Sequence, residues 1–219
     1  MTEVNRFPVI LSSPSGGGKT TIARALLAQR RDLGYSVSCT TREPRKGEVD
    51  GVDYFFLTAD EFDSAARRGD FAEWAFVHGQ RYGTLKREVE RVLSSGKHVI
   101  MDIDVQGARQ FSEVFEKSAL IFLLPPSGDV LVERLRGRRS EAREALIRRL
   151  ETAIEEFKAV SMYHYIVVND RLDIAVARVS SIIDAEASRR ERRTDGADGK
   201  VGALIEQLQL EIRKQQEIG

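Results

Sequence analysis

The residues Ser13, Pro14, Ser15, Gly16, Gly17, Gly18, Lys19, Thr20 and Thr21 join the short apolar run Val9-Ile10-Leu11 to a segment in which Ile22, Ala23, Leu26 and Leu27 recur at helical spacing. A strand that runs through consecutive glycines into Lys-Thr and then a helix is the layout of a phosphate cradle. The glycines let backbone N–H groups turn inward around oxyanions, the ammonium of Lys19 reaches β- and γ-phosphates, and the hydroxyl of Thr20 is a ligand for Mg²⁺. Ser13 stands where the generic pattern G-x-x-x-x-G-K-[ST] has its first glycine, but strand and helix flank the loop as the chemistry requires. The expected ligand is a nucleoside triphosphate.

Three further groupings extend this chemistry. The apolar run His98-Val99-Ile100-Met101 ends in Asp102-Ile103-Asp104, as expected of a strand beside a phosphate loop whose acid organises Mg²⁺ and its waters; taken singly, either carboxylate also suits a strand-end cap. In Thr40-Thr41-Arg42-Glu43-Pro44-Arg45 two guanidinium groups flank a turn proline and Tyr54 follows. Arg42 and Arg45 can fork onto a second phosphate, with the Tyr54 hydroxyl as a neutral donor. In Phe71-Ala72-Glu73-Trp74-Ala75-Phe76-Val77 one carboxylate lies in an apolar run, where it needs donors. Guanine offers two parallel ones, N1–H and the exocyclic amino group, whereas adenine presents an acceptor at N1. Ser38 and Thr84 are candidate hydroxyl partners.

Strand and helix patterns alternate so as to predict an α/β protein with a parallel core sheet: strands over Phe7–Ser12, Tyr35–Ser38, His98–Asp102, Ala119–Leu124 and Tyr165–Val168, and helices over Lys19–Arg31, Val105–Glu116, Asp129–Arg138, Glu144–Val160 and Asp173–Arg190. Between Ser38 and His98 the alternation changes. There the pattern predicts a strand at Tyr54–Leu57, a capping box at Thr58–Glu61, a helix over Ala59–Arg68, the strand-like Phe71–Val77, and a helix from about Thr84 to Ser95 stopped by Gly96. This is read as an inserted lobe, residues 38–96, hanging beside the C-terminal edge of a core formed by 1–37 and 97–193. Residues 194–219 form a linker and an amphipathic helix carrying Val201, Leu204, Ile205, Leu208 and Leu210; docking on the body and docking on another subunit of a homo-oligomer explain it equally well.

Bulk properties narrow the classes. The 219 residues, 42% of them hydrophobic, suit one core-bearing domain with appendages. Lys plus Arg (34) balance Asp plus Glu (34), so no long-range field favours nucleic acid or an anionic membrane. Cys39 is the single cysteine and the three histidines, His78, His98 and His164, are scattered, which argues for a reducing compartment and against a zinc site. With no run long enough for a signal-peptide core or a membrane span, the expectation is a cytoplasmic protein.

Taken together the motifs resemble those of bacterial-type guanylate kinases from the first strand to about Arg190: P-S-G-x-G-K-T at Pro14–Thr20, T-T-R-x-P-R-x-G-E at Thr40–Glu48, G-x-x-Y-x-F at Gly51–Phe56, E-W at Glu73–Trp74, Y-G-T at Tyr82–Thr84, D-I-D at Asp102–Asp104, R-L-x-x-R at Arg134–Arg138 and V-N-D at Val168–Asp170. The resemblance implies a phosphate-loop fold with an inserted nucleoside-monophosphate lobe and a helical lid at about 134–149. It implies an ATP:GMP phosphotransferase of purine nucleotide metabolism, with ATP as co-substrate, Mg²⁺ as cofactor, and GMP, with dGMP, as acceptor. On that resemblance Ser38, Glu73 and Thr84 read guanine, Arg42, Arg45, Tyr54 and Tyr82 hold the GMP phosphate, and Asp102 lies between acceptor and phosphate loop. Arg134, Arg138 and Arg149 become lid cations acting with Lys19 in catalysis, Asn169 lies near adenine, and Thr20 and Asp104 serve the metal. Arg139, where the family usually has glycine, and Arg143 depart from the pattern in the lid. Two other readings stay open: a non-catalytic guanylate-kinase-like module that binds phosphorylated peptides, and a related phosphate-loop kinase with another phosphorylated acceptor.

Overall fold

The computed structural model describes residues 6–77, 79–136, 143–192 and 197–218. Residues Arg6–Ile183 form one compact unit, and the chain from Asp184 onward belongs to a second. In the first, β1 (Pro8–Ser12) leads through the glycine loop into α1 (Lys19–Gln29) and β2 (Leu33–Tyr35). The lobe follows: β3 (Cys39–Thr40), β4 (Phe55–Phe56), α2 (Ala59–Arg68), β5 (Phe71–Val77), β6 (Gln80–Leu85) and α3 (Lys86–Ser94). The core resumes with β7 (His98–Asp102), α4 (Val105–Val114), β8 (Ala119–Leu124), α5 (Gly128–Arg136), α6 (Arg143–Lys158), β9 (Tyr165–Val168) and α7 (Leu172–Ala187).

The core sheet is parallel throughout, in the order β2-β7-β1-β8-β9. With helices over both faces, its central strands read as unbroken apolar runs, and all five residues of β1 are buried. Ile22, Ala23 and Leu26 of α1 and Ala175, Val176, Val179 and Ile183 of α7 supply buried faces. Every loop at the C-terminal end of this sheet is thereby brought to one edge, the position at which open α/β sheets bind ligands. The register sets Leu11 of β1 beside Asp102 of β7, so the strand-end acid adjoins the start of the glycine loop.

The lobe is a second sheet, ordered β4-β3-β6-β5, backed by α2 through the cluster Cys39, Phe62, Ala65, Phe71 and Leu85. Thr58 and Glu61 form the expected reciprocal capping box on α2. Strand β5 is an open sheet edge, and Gln110 of α4 covers it: its Nε2 donates to the Trp74 carbonyl and its Oε1 accepts from the Trp74 amide, each at 3.1 Å. One side chain thus stands in for a neighbouring strand.

Several sequence-based ends move by one to three residues, as at the helix expected over Asp173–Arg190, which ends at Ala187, and two assignments shift because of strand pairing. The strand expected over Tyr35–Ser38 lies at Leu33–Tyr35, because its ladder is with β7 and ends where Tyr35 meets Ile100; Ser36–Ser38 form the passage into the lobe. Gly34 allows a close approach, since a Cβ would fall 2.5 Å from Val92 Cγ1. The helix expected from about Thr84 starts at Lys86, because Gln80–Leu85 is committed to antiparallel pairing with β5. Arg138 and Arg139 lie outside the described residues. In the second unit, Glu186 pairs with Arg192 at 2.7 Å and with Arg189 at 3.3 Å. Its helix α8 (Ala197–Ile218) leaves Val201, Leu204, Ile205 and Leu208 exposed.

Candidate active site

The glycine cradle is built almost wholly from backbone. Gly16 and Gly18 have φ of +80° and +91°, left-handed conformations that a side chain disfavours. At Gly17 an added Cβ would collide with the Ser13 side chain, so the succession of glycines answers both a conformational and a steric demand. Ser13 is buried; its hydroxyl donates to the Pro14 carbonyl at 2.9 Å, and Lys19 Nζ donates to the Ser13 carbonyl at 2.6 Å. Asn169, at the end of β9, is also buried and donates from Nδ2 to the Gly17 carbonyl at 2.8 Å, which makes it a brace for the loop. A cavity of about 520 Å³ opens here, and a separate one of about 340 Å³ lies between α4 and α6. The larger is lined by Ser15, Gly16, Gly17, Gly18, Lys19, Thr20, Thr21 and Arg134.

Helices α5 and α6 reach the same loop. Arg149 of α6 donates to Ser15 Oγ at 3.0 Å and to the Leu135 carbonyl at 3.0 Å, and Arg134 of α5 donates to the Asn169 carbonyl at 3.2 Å. One turn pair further along α6, the Glu156 carboxyl is pushed up to about 7 by burial; the Lys19 charge and the Ser15 backbone amide pull it down, and the Asp104 carboxylate pushes it up. Glu156 was not singled out in the sequence, where it is one acid in the Glu155-Glu156 pair of a charged helix.

The second pocket is built from side chains of the lobe. Glu73 and Thr84 are cross-strand partners, and alternation along β5 and β6 puts Glu73, Ala75, Tyr82 and Thr84 on one face. Glu73, Ala75 and Tyr82, together with Ser38, Tyr54, Asp102 and Asp104, line a cavity of about 160 Å³. The Thr84 hydroxyl donates to Glu73 Oε1 at 2.6 Å. Burial pushes the Glu73 carboxyl up to about 7; the Thr84 bond opposes the shift and the Asp104 charge adds to it. Such a carboxylate lacks the donors its burial demands and suits a ligand that brings N–H groups.

At the mouth of this pocket Arg42 lies 5.5 Å over the Tyr54 ring and pairs with Glu48 at 2.8 Å. Tyr54 meets Tyr82 edge-on at 6.0 Å, and burial raises the Tyr54 phenol above its usual range. Glu48 also accepts from the Arg45 backbone amide at 2.7 Å, while the Arg45 residue is exposed. Glu48 therefore preforms the arginine turn, a function not read from the sequence although the residue closes the motif.

The two strand-end acids part company. Asp102 accepts from Thr20 Oγ1 at 2.5 Å and from the Tyr35 hydroxyl at 2.8 Å. Asp104, expected at the metal, is the N-cap of α4 and accepts from the Gly107 amide at 2.7 Å. The acid facing the Thr20 hydroxyl is Asp102, because the parallel register sets it, and not Asp104, level with the loop. A cleft of about 410 Å³ shares Thr20 with the cradle cavity and Tyr35, Tyr54 and Asp102 with the lobe cavity, and so lies between them.

A parallel sheet with a glycine cradle after its central strand, and a lobe inserted beside it, defines a phosphate-loop protein of the nucleotide kinase type. The guanylate kinase family model matches residues 5–186. Guanylate kinases of Geobacter sulfurreducens and Caldanaerobacter subterraneus are 47% and 44% identical to the chain; each match covers 85% of it, and 92% and 91% of the respective relative. The crystal structure of guanylate kinase from Anaplasma phagocytophilum superposes with a TM-score of 0.70 at 33% identity, covering 88% of this chain and 92% of that one. The chain belongs to the guanylate kinase family.

Proposed function

We propose that the protein transfers the γ-phosphoryl group of ATP to GMP, giving ADP and GDP. The observation that carries this reading is a backbone-built polyphosphate cradle beside a pocket whose buried Glu73 wants paired donors, with one cleft sharing residues with both. Guanine supplies N1–H and the exocyclic amino group to Glu73, with Ser38 and Thr84 as hydroxyl partners. Arg42, Arg45, Tyr54 and Tyr82 take the monophosphate, which requires Arg42 to exchange Glu48 for the ligand. The lobe, residues 38–96, is the acceptor domain, and 134–149 the lid.

The acceptor oxygen is already anionic, so the chain has positioning and charge neutralisation to supply and needs no general base. Lys19 is placed to meet the β- and γ-phosphates, and Arg134 and Arg149 approach the loop from the lid with charge for the transferring group. Arg138 is assigned the same duty from its motif. Lid closure excludes water, the competing acceptor. The hydroxyl of Thr20 beside the carboxylate of Asp102 is an all-oxygen donor set that fits Mg²⁺. Thr20 would hold the ion and Asp102 its water shell; when bound, it neutralises charge on the phosphates.

Asn169 braces the loop where adenine would pass. Retention of Lys19 and Thr20 disfavours a peptide-binding module. Among the described residues no helix is long and apolar enough to cross a membrane, and the reading places the enzyme in the cytoplasm. ADP release measured with ATP, Mg²⁺ and each of GMP, dGMP, AMP, UMP and CMP tests the assignment. GMP and dGMP are expected to turn over; preference for AMP would contradict it.

A further inference from the structure

Tyr35 is the last residue of β2, paired with Ile100 of β7, and that register carries its ring to the end of β7 two residues on. There its hydroxyl donates to Asp102 Oδ1 at 2.8 Å while Thr20 Oγ1 donates to Oδ2 at 2.5 Å. Each oxygen of one carboxylate is therefore tied from a different side, and the carboxylate plane is fixed. The same three residues line the cleft that joins cradle and lobe pocket, and Tyr35 and Asp102 also line the lobe cavity. A phenylalanine would fill the ring site equally well, so the hydroxyl is there for the bond. Burial, followed by the Asp102 charge, raises the phenol far above its usual range, which keeps it a donor.

The two ties are not equivalent once ATP arrives. Thr20 heads α1 at the cradle, and its hydroxyl turns to the incoming ligand sphere, releasing Asp102 Oδ2. The Tyr35 hydroxyl is then the remaining side-chain donor to Asp102 among the described residues. Untethered, an anionic side chain between two phosphorylated substrates can swing away from the junction, toward cations such as Arg24 that line the same cleft. We propose that Tyr35 is a positioning residue for phosphoryl transfer, holding the Asp102 carboxylate at the junction of the two nucleotide pockets so that it serves the transferring group.

The proposal rests on the phosphotransferase reading, and its test separates the two. Tyr35→Phe is expected to lower kcat about tenfold, as for one hydrogen bond to a charged group that matters in the reacting complex, with KM for GMP and ATP changed less than about twofold. In an Asp102→Ala background the same substitution is expected to change kcat no further. Without ligands, Tyr35→Phe should lower the thermal midpoint by about 2–4 °C in the wild-type background and by nothing in Asp102→Ala. Unchanged kcat, a rise in KM alone, or an equal effect in both backgrounds overturns the proposal. An unmodified protein that phosphorylates no GMP overturns the phosphotransferase reading instead, and the ligand-free cycle still decides whether the Tyr35–Asp102 tie exists.

Discussion

The two pockets are made of different material. The cradle consists of amides and carbonyls from consecutive residues, whose tight course Gly16, Gly17 and Gly18 permit and Asn169 braces. The lobe pocket consists of side chains delivered by strand pairing, and its central group, Glu73, is a buried carboxylate with one hydroxyl partner, Thr84. Backbone donors suit a polyphosphate tail shared by all nucleoside triphosphates, since every amide reads phosphate alike. A side-chain pocket can discriminate one base from another, because an unpaired buried carboxylate penalises the wrong ligand. Generic grip and specific reading are thus separated in space, and the Tyr35–Asp102–Thr20 contacts lie where the two regions meet.

That division can be broken from either side. Lys19→Ala removes the cradle's own lysine: phosphoryl transfer is expected to fall by about a thousandfold while GMP affinity, read by calorimetry, changes by no more than about threefold. Comparable loss of both would show that the pockets do not act separately. Glu73→Gln is the converse, with GMP binding expected to weaken by about 1.5–3 kcal/mol and ATP binding to stay constant. A matching loss for AMP would remove Glu73 as the base reader.

A pH titration sharpens the comparison further. The empty pocket holds Glu73 with its pKa raised to about 7, so below that value guanine must displace a proton to gain its carboxylate partner. GMP affinity is expected to fall by up to about tenfold per pH unit below about 7 and to level off above it, whereas the Glu73→Gln profile stays flat. For the ligand-free protein the sign is opposite. The fold disfavours the charged form, so this group's contribution to stability declines as pH rises from the ordinary carboxyl value of 4.5 through about 7. The smallest effect is expected at Thr58→Ala, which removes the α2 capping box and touches neither pocket. It should cost about 1 kcal/mol of stability in denaturant unfolding and leave both substrate affinities unaltered.

The same contrast explains what could be read from the chain. The cradle is contiguous, and strand, glycines, lysine and helix announce one another within a few residues. Strands β1, β7 and β8 were legible for a related reason, since burial on both faces writes them as apolar runs, whereas the edge strand β9 is apolar although Ile166 and Val168 are exposed. The lobe was harder. β6 was not anticipated, and its Gly83 is required because a Cβ there would press within 2.9 Å of the Glu73 carbonyl and the Trp74 side chain. Asp102 and Asp104 are equivalent as letters, and only the register against Leu11 and the start of α4 makes one a partner of Thr20 and the other a cap. Tyr35 and Asp102 are 67 residues apart, and Arg149 and Ser15 134 apart, so no local pattern links them.

The central claim is that one molecule brings the two nucleotides together and passes a phosphoryl group between them. Chromatographic quantification of ADP and GDP from the same reaction of ATP, Mg²⁺ and GMP tests it most directly. The account predicts that both products accumulate together in equimolar amounts and that neither forms when GMP is replaced by guanosine. ADP without GDP, or no product at all, would contradict it.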